Sequence, residues 1–125
     1  MHTTENLKVY KASAGSGKTF TLTVEYIKLL IENPDNYRHT LAVTFTNKAT
    51  SEMKERIVST LDKLARKDPS ADGYLKAIGG DKEMVATNSK IALEKILHDY
   101  SRFRIETIDS FFQSIIRDVS ISSGT

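Results

Sequence analysis

The sequence predicts an α/β fold, a parallel sheet with flanking helices, and an incomplete one. Three observations carry that expectation. Segments of strand character alternate with segments of helical periodicity in the order strand–helix–strand–helices–strand–helix, which implies parallel strands joined by right-handed crossovers. A glycine-rich octapeptide, Ala12-Ser13-Ala14-Gly15-Ser16-Gly17-Lys18-Thr19, stands between the first strand and the first helix. No run of four apolar residues ends in an acid, although a complete domain of this kind needs such a strand.

Residues 7–11 read as a short strand. From Gly17 to about Glu32 the apolar residues Phe20, Val24, Ile27, Leu30 and Ile31 share one helical face. Asn33-Pro34-Asp35-Asn36 ends that helix, because Pro and Asn/Asp favour a turn. Thr40–Phe45 is a β-branched and aromatic run with the character of a buried strand. A second helix starts near Asn47 and runs to about Arg66, with Ala49, Met53, Ile57, Leu61 and Leu64 at helical spacing. Residues 68–81 are broken by Pro69, Gly73 and Gly79-Gly80, leaving room for one short helix. A further helix begins at about Lys82 or Thr87 and ends near His98. Phe103–Thr107 alternates like a half-buried strand. A last helix follows Asp109 or Ser110, with Phe112, Ile115, Ile116 and Val119 as its stripe. Phe111 and Phe112 are expected mostly in the core, and Ile115 and Ile116 within it.

Strand, glycine-rich turn and helix N-terminus make up the setting of a phosphate-binding loop. Gly15 and Gly17 can adopt backbone angles closed to other residues, which lets successive N–H groups point into one concavity. The positive end of the following helix adds to the attraction for an anion. Lys18 is then placed to reach β- and γ-phosphates, and the Thr19 hydroxyl to ligate Mg²⁺. The expected ligand is a nucleoside triphosphate. Ala12 stands where the strict pattern has glycine, and a small residue still permits the turn.

Composition bounds the remaining possibilities. The chain has 125 residues, enough for one domain or part of one, and its 39% hydrophobic and 27% charged content is that of an ordinary globular protein. A net charge of +2 is too weak to argue for nucleic acid by itself. With no cysteine there is neither a disulfide nor a thiolate metal site, and His2, His39 and His98 have no ligand-like spacing. The polar N-terminus lacks the apolar core of a signal peptide, and no apolar run reaches the ~20 residues that span a bilayer. A cytoplasmic protein with no membrane partner is expected.

The second constellation is Ala42-Val43-Thr44-Phe45-Thr46-Asn47-Lys48-Ala49. In an open α/β sheet, ligands gather at the carboxyl ends of strands. Phe45 offers a stacking face, Thr46 and Asn47 offer hydrogen bonds to phosphate or sugar, and Lys48 offers a charge beside a helix N-terminus. The same residues also allow a plainer reading, in which Phe45 is core and Thr46 or Asn47 caps the helix.

The octapeptide, followed by Ala42–Ala49 with Glu52-Met53-Lys54-Glu55-Arg56-Ile57, resembles motifs I and Ia of the UvrD/Rep family of superfamily 1 DNA helicases. A third segment, Ile105-Glu106-Thr107-Ile108-Asp109-Ser110-Phe111-Phe112 leading into Ile115-Ile116-Arg117, is similar to the stretch after motif Ia in that family. Its Thr-Ile-Asp-Ser-Phe form, and the long helical stretch between residues 67 and 102, resemble the AddA and RecB branch of helicase–nuclease motor proteins. The resemblance spans nearly the whole chain. It implies a partial P-loop, RecA-like domain that is the N-terminal part of a longer ATP-dependent motor of DNA end processing. It implies that residues 12–19 hold ATP, with Lys18 on the γ-phosphate in a catalytic role and Thr19 on Mg²⁺. It implies that Phe45, Thr46 and Asn47 face single-stranded DNA, that Thr107 and Asp109 lie along the same path or couple it to the ATP site, and that a second helicase–nuclease subunit is a partner of the parent protein.

Two departures qualify that picture. Many members carry a glutamine upstream of motif I that reads adenine, whereas the sole glutamine here is Gln113. The carboxylates that would complete hydrolysis and the arginine that senses the γ-phosphate are absent from these residues. Two other functions fit the octapeptide alone: a small P-loop kinase, which leaves the Ala42–Ala49 segment unexplained, and a non-catalytic nucleotide-binding domain.

Overall fold

In the computed structural model the backbone is described for residues 16–122 and the side chains for residues 20–117. The expected strand at 7–11, residues Ala12–Gly15 of the octapeptide, His2 and the Val119 side chain lie outside the described residues.

Helix α1, Ser16–Glu32, is apolar on more than one face. Leu22, Val24, Tyr26, Ile27, Leu30 and Ile31 are buried, and so is Thr23. Among the described side chains only a narrow polar stripe, Thr21, Glu25, Lys28 and Glu32, faces solvent. Its C-terminal end is closed by side chains. Asn36 Nδ2 donates to the Leu29 carbonyl at 2.8 Å, and Asn88 Nδ2 donates to the Ile31 carbonyl at 2.7 Å. The Asn88 amide thus serves a carbonyl in the last turn, where helix ends run short of N–H partners, and the Asn36 amide adds a second donor to the Leu29 carbonyl, which also accepts the Asn33 N–H at 3.1 Å. Pro34 cannot continue the helix, and the chain turns through a 3₁₀ segment, Pro34–Arg38, capped by the Asn33 side chain on the Asp35 N–H.

Strand β1, Ala42–Thr44, is buried at every position. It is shorter than the expected 40–45, because ladder bonding reaches only the residues that face β2. Helix α2, Asn47–Ala65, keeps the expected stripe: Met53, Ile57, Leu61 and Leu64 are buried, and Ala49 is half-buried. It ends in a left-handed residue, Lys67, at φ 58°. The Asp68 N–H reaches the Lys63 carbonyl at 2.9 Å, and the Lys67 N–H reaches that of Leu64 at 3.2 Å. This is the hydrogen-bond pattern that usually places glycine at the left-handed position.

Gly73 does not break the chain. It lies inside the short helix α3, Asp72–Ile78, where a single glycine costs only about 1 kcal/mol. Gly79 and Gly80, at φ 78° and 86°, make the actual break. Helix α4, Lys82–His98, starts at the earlier of the two expected positions because the Asp81 side chain accepts the Met84 N–H at 3.0 Å. Strand β2, Ile105–Thr107, leads without a loop into α5, Ile108–Ser122.

β1 and β2 are parallel, with Ala42 opposite Ile105, Val43 opposite Glu106 and Thr44 opposite Thr107. Parallel neighbours need a crossover, here supplied by α2, α3 and α4. Among the described residues the result is a mostly helical α/β arrangement with two parallel strands. The core joins α1, α2 and α4 over the strands through Tyr26, Ile27, Leu30, Met53, Ile57, Leu61, Ile96 and Phe103. Each such large apolar side chain stabilises the fold by about 1.5–3 kcal/mol on full burial. No helix among the described residues is long and apolar enough to cross a membrane.

One expectation fails outright. Phe112, Ile115 and Ile116 are not core: they are 53%, 40% and 64% exposed, while Phe111 is half-buried. The physical reason is that α5, among the described residues, packs chiefly against β1 and β2, which leaves its outer apolar stripe toward solvent.

Candidate functional site

The parallel register brings the carboxyl ends of β1 and β2 side by side. Neighbouring strands lie about 4.8 Å apart. A helix starts from each of these two ends, and a threonine caps each helix. Thr46 Oγ1 accepts the Ala49 N–H at 3.0 Å at the start of α2, and Thr107 Oγ1 accepts the Ser110 N–H at 3.2 Å at the start of α5. The second cap explains why α5 begins at Ile108, earlier than expected.

Beneath Thr46 lies a hydroxyl cluster that sequence patterning missed. Thr44 Oγ1 and Thr50 Oγ1 are 2.6 Å apart, so one donates to the other, and the hydroxyl whose proton is left donates to the Thr46 carbonyl, 3.2 Å from both. The Thr50 N–H donates to the same carbonyl at 3.0 Å. Polar groups buried at a strand end must find partners, and here they find each other. The spacing Thr44-x-Thr46-x3-Thr50 was the available signal. It reads as ordinary surface threonines until Thr44 is known to be buried.

The plainer reading of Phe45–Asn47 holds in one half only. Thr46 does cap α2. Phe45 is not core: after four buried residues from Leu41 to Thr44 its ring is 50% exposed, and Thr46, Asn47 and Lys48 are exposed beside it. The cap uses a Thr46 lone pair and leaves its hydroxyl proton free to donate outward. The first turn of α2 carries no acid, which keeps the positive end of the helix uncompensated. Across the edge, Thr107 is half-buried and Asp109 is exposed in the first turn of α5. Phe45, Thr46, Asn47, Thr107 and Asp109 therefore share one edge.

The described part of the octapeptide, Ser16–Thr19, forms the first turn of α1. That turn also has no acidic residue, so its N–H groups present an uncompensated positive end suited to phosphate. The Lys18 and Thr19 side chains lie outside the described side chains. The next residue, Phe20, packs its ring on Tyr74 of α3 with centroids 4.7 Å apart, and Arg56 of α2 donates to the Tyr74 hydroxyl at 3.4 Å. The last described turn of this region is thus tied to both α3 and α2.

The strongly shifted groups lie away from the edge. Burial, then the hydrogen bond to Asp99 at 2.8 Å, raises the Tyr37 phenol above its usual value. Burial raises Tyr26. Backbone and side-chain hydrogen bonds from Ser70 hold the Asp68 carboxyl below its usual range. None of these has the setting of a proton-transfer group.

The family model described as the UvrD/REP helicase N-terminal domain matches residues 1–124. An ATP-dependent helicase/nuclease subunit of Clostridium perfringens (strain ATCC 13124) is 38% identical over 92 residues, covering 71% of this chain and 7% of the relative. The protein of the same name in Bacillus cytotoxicus is 39% identical over 103 residues, covering 75% of this chain and 8% of the relative. A third, from Clostridium perfringens strain 13, is 50% identical over 62 residues, 48% of this chain and 5% of its own length. The chain thus spans less than a tenth of the length of these relatives. No solved structure gives a significant match. On the match to residues 1–124, the chain belongs to the UvrD/REP helicase N-terminal domain family.

Proposed function

We propose that this chain binds ATP through residues 12–19 and single-stranded DNA along the shared edge of β1 and β2. It does so as part of the motor subunit of a cytoplasmic ATP-dependent helicase–nuclease that processes DNA ends. In this reading the fold is a partial P-loop, RecA-like domain. Its motif I spans 12–19, its motif Ia 42–57, a Thr-Ile-Asp-Ser-Phe segment 107–111 and a helical insertion 67–102.

The observation that carries the reading is Phe45. A large aromatic ring left half exposed directly after a fully buried strand costs hydrophobic stabilisation and supplies a stacking platform. Base stacking tolerates any sequence, which suits a motor that must pass over every sequence. Thr46, Asn47 and Lys48 supply donors and charge for the phosphates beside it. Thr107 and Asp109 border the path on the β2 side.

At the other site, Gly15–Thr19 cradle the phosphates, Lys18 takes the γ-phosphate, and Thr19 holds Mg²⁺. The acid-free first turn of α1 fits such an anion. Bound Mg²⁺ neutralises charge on the β- and γ-phosphates. The residues of this chain bind and orient the nucleotide; they include no acid-ended strand to activate water. The second subunit of such a helicase–nuclease would join through the parent protein.

Two measurements test the reading. ATP with Mg²⁺ is expected to raise the melting temperature, and Lys18→Ala to abolish the rise. Fluorescence anisotropy with oligothymidylate is expected to show a loss on Phe45→Ala of about 1–3 kcal/mol, the usual value of one stacked base. An unchanged affinity after Phe45→Ala would remove the DNA reading of this edge.

A further inference from the structure

Next to the edge, α2 and the end of α4 enclose an open groove of about 890 Å³, lined among others by Ser51, Lys54, Glu55, Val58, Leu97 and Tyr100. The two helices run in opposite directions. Lys67 at the end of α2 pairs with Glu83 at the start of α4, and Lys54 near the start of α2 meets Tyr100 just past the end of α4. The groove therefore has a near mouth, toward Asn47, and a far end, toward Asp62.

The near mouth is aromatic and basic. Lys54 Nζ lies 5.1 Å from the centroid of the Tyr100 ring and 5.9 Å from that of Phe103. Phe103 is buried and meets Tyr100 edge to face at 5.7 Å, fixing the ring, while Tyr100 itself stays 47% exposed. Among the described residues Lys54 makes no ion pair, and neither does Lys48 one and a half turns earlier. At the far end the acid is already engaged, since Arg66 holds Asp62 at 3.0 Å. An unpaired cation over an exposed, rigidly held aromatic ring is the pairing that single-stranded nucleic acid uses for phosphate and base. From Asn47 to Lys54 is two turns of α2, about 10 Å, more than one internucleotide step of a single strand.

We propose that a DNA strand held at Phe45–Asn47 continues into this groove, with a further base stacked on Tyr100 and a phosphate on Lys54. The proposal rests on the DNA reading of the edge and extends it by a second platform. Glu55, the one acid in the near half without an ion pair among the described residues, opposes the strand and limits its affinity.

The test uses the 125-residue chain with dithymidylate, too short to reach from the edge to Lys54, and octathymidylate, long enough to reach the groove. Phe45→Ala is expected to weaken both oligomers. Tyr100→Ala is expected to weaken the octamer by about 5- to 150-fold and the dimer hardly at all, with Tyr100→Phe restoring the octamer. Lys54→Ala is expected to lower the salt slope for the octamer by about 0.7, and Lys54→Arg to restore it. Glu55→Gln is expected to tighten the octamer. If Phe45→Ala weakens both oligomers and Tyr100→Ala neither, the groove proposal falls and the edge reading stands. If neither variant changes binding of either oligomer, both fall. Equal losses on both oligomers from Tyr100→Ala mark a structural role and overturn the proposal. So does a Leu97→Asp variant that disperses a self-associating chain in sedimentation while octamer affinity is unchanged, because the groove then holds a second copy.

Discussion

Thr46 carries two roles that substitution can separate. Its hydroxyl caps α2 through the Ala49 N–H at 3.0 Å, and it is exposed at the edge assigned to DNA. Replacing a capping threonine by alanine costs typically about 1 kcal/mol. At about 2.1 cal/mol/K per residue, the unfolding entropy of 125 residues is about 0.26 kcal/mol/K, so Thr46→Ala should lower the melting temperature by about 4 °C. Thr46→Asp keeps the cap, since aspartate caps at least as well, and adds a favourable charge at the helix N-terminus. Its melting temperature should match or exceed that of the parent. DNA binding should order differently. Thr46→Ala removes one hydrogen bond, about 0.5–1.5 kcal/mol. Thr46→Asp sets a negative charge beside phosphate, a repulsion of about 1 kcal/mol in bulk water and about 4 at a protein surface. Thermal melts by circular dichroism and anisotropy with oligothymidylate read the two effects separately. An alanine variant that melts like the parent refutes the capping argument. An aspartate variant that binds like the parent refutes the placing of phosphate at this edge.

Three other perturbations have definite expected outcomes. Tyr37 is buried and donates to Asp99 at 2.8 Å, so Tyr37→Phe should cost about 1.5–3 kcal/mol in urea unfolding, the range for a bond to a charged group. Because burial and that bond raise the phenol above its ordinary 10.0, the unfolded chain loses the proton first. The stability Tyr37 contributes is present below pH 10 and declines as pH rises above it, and Tyr37→Phe should flatten that decline. Gly79→Ala should destabilise by about 1–3 kcal/mol, since φ 78° with ψ −176° is a backbone region essentially reserved for glycine, although the space around it is open. Ile116→Asp should leave stability within about 0.5 kcal/mol and reduce binding of a hydrophobic dye, because its side chain lies in the uncovered stripe of α5.

The helices were legible because their signals are local. Met53, Ile57, Leu61 and Leu64 recur at helical spacing, and Asn33-Pro34 stops α1 whatever lies around it. The edge was legible as a set of residues but not as a geometry. That Thr44 stands opposite Thr107 is a register between strands more than sixty positions apart, and no local pattern encodes it. The fate of Phe45 was undecided for the same reason: a hydrophobic residue at a strand end is core or platform according to what lies over it. The stripe of α5 was misread because amphipathic spacing says that a face is apolar, not that something covers it. Lys54 and Tyr100 went unnoticed singly, since only the antiparallel pairing of α2 with α4 brings them together.

The two asparagines at the tail of α1 bear on its opposite end. An α-helix resists stretching and compression along its axis, so a grip on one end sets the position of the other. Asn36 and Asn88 reach the Leu29 and Ile31 carbonyls from separate parts of the fold and act as an anchor. From Ile31 back to Ser16 is about 22 Å of helix. An axial displacement of the first turn would be resisted at this anchor and would reach α4 through Asn88. Slackening it with Asn88→Ala should speed amide exchange in the first turn of α1 as well as in the last.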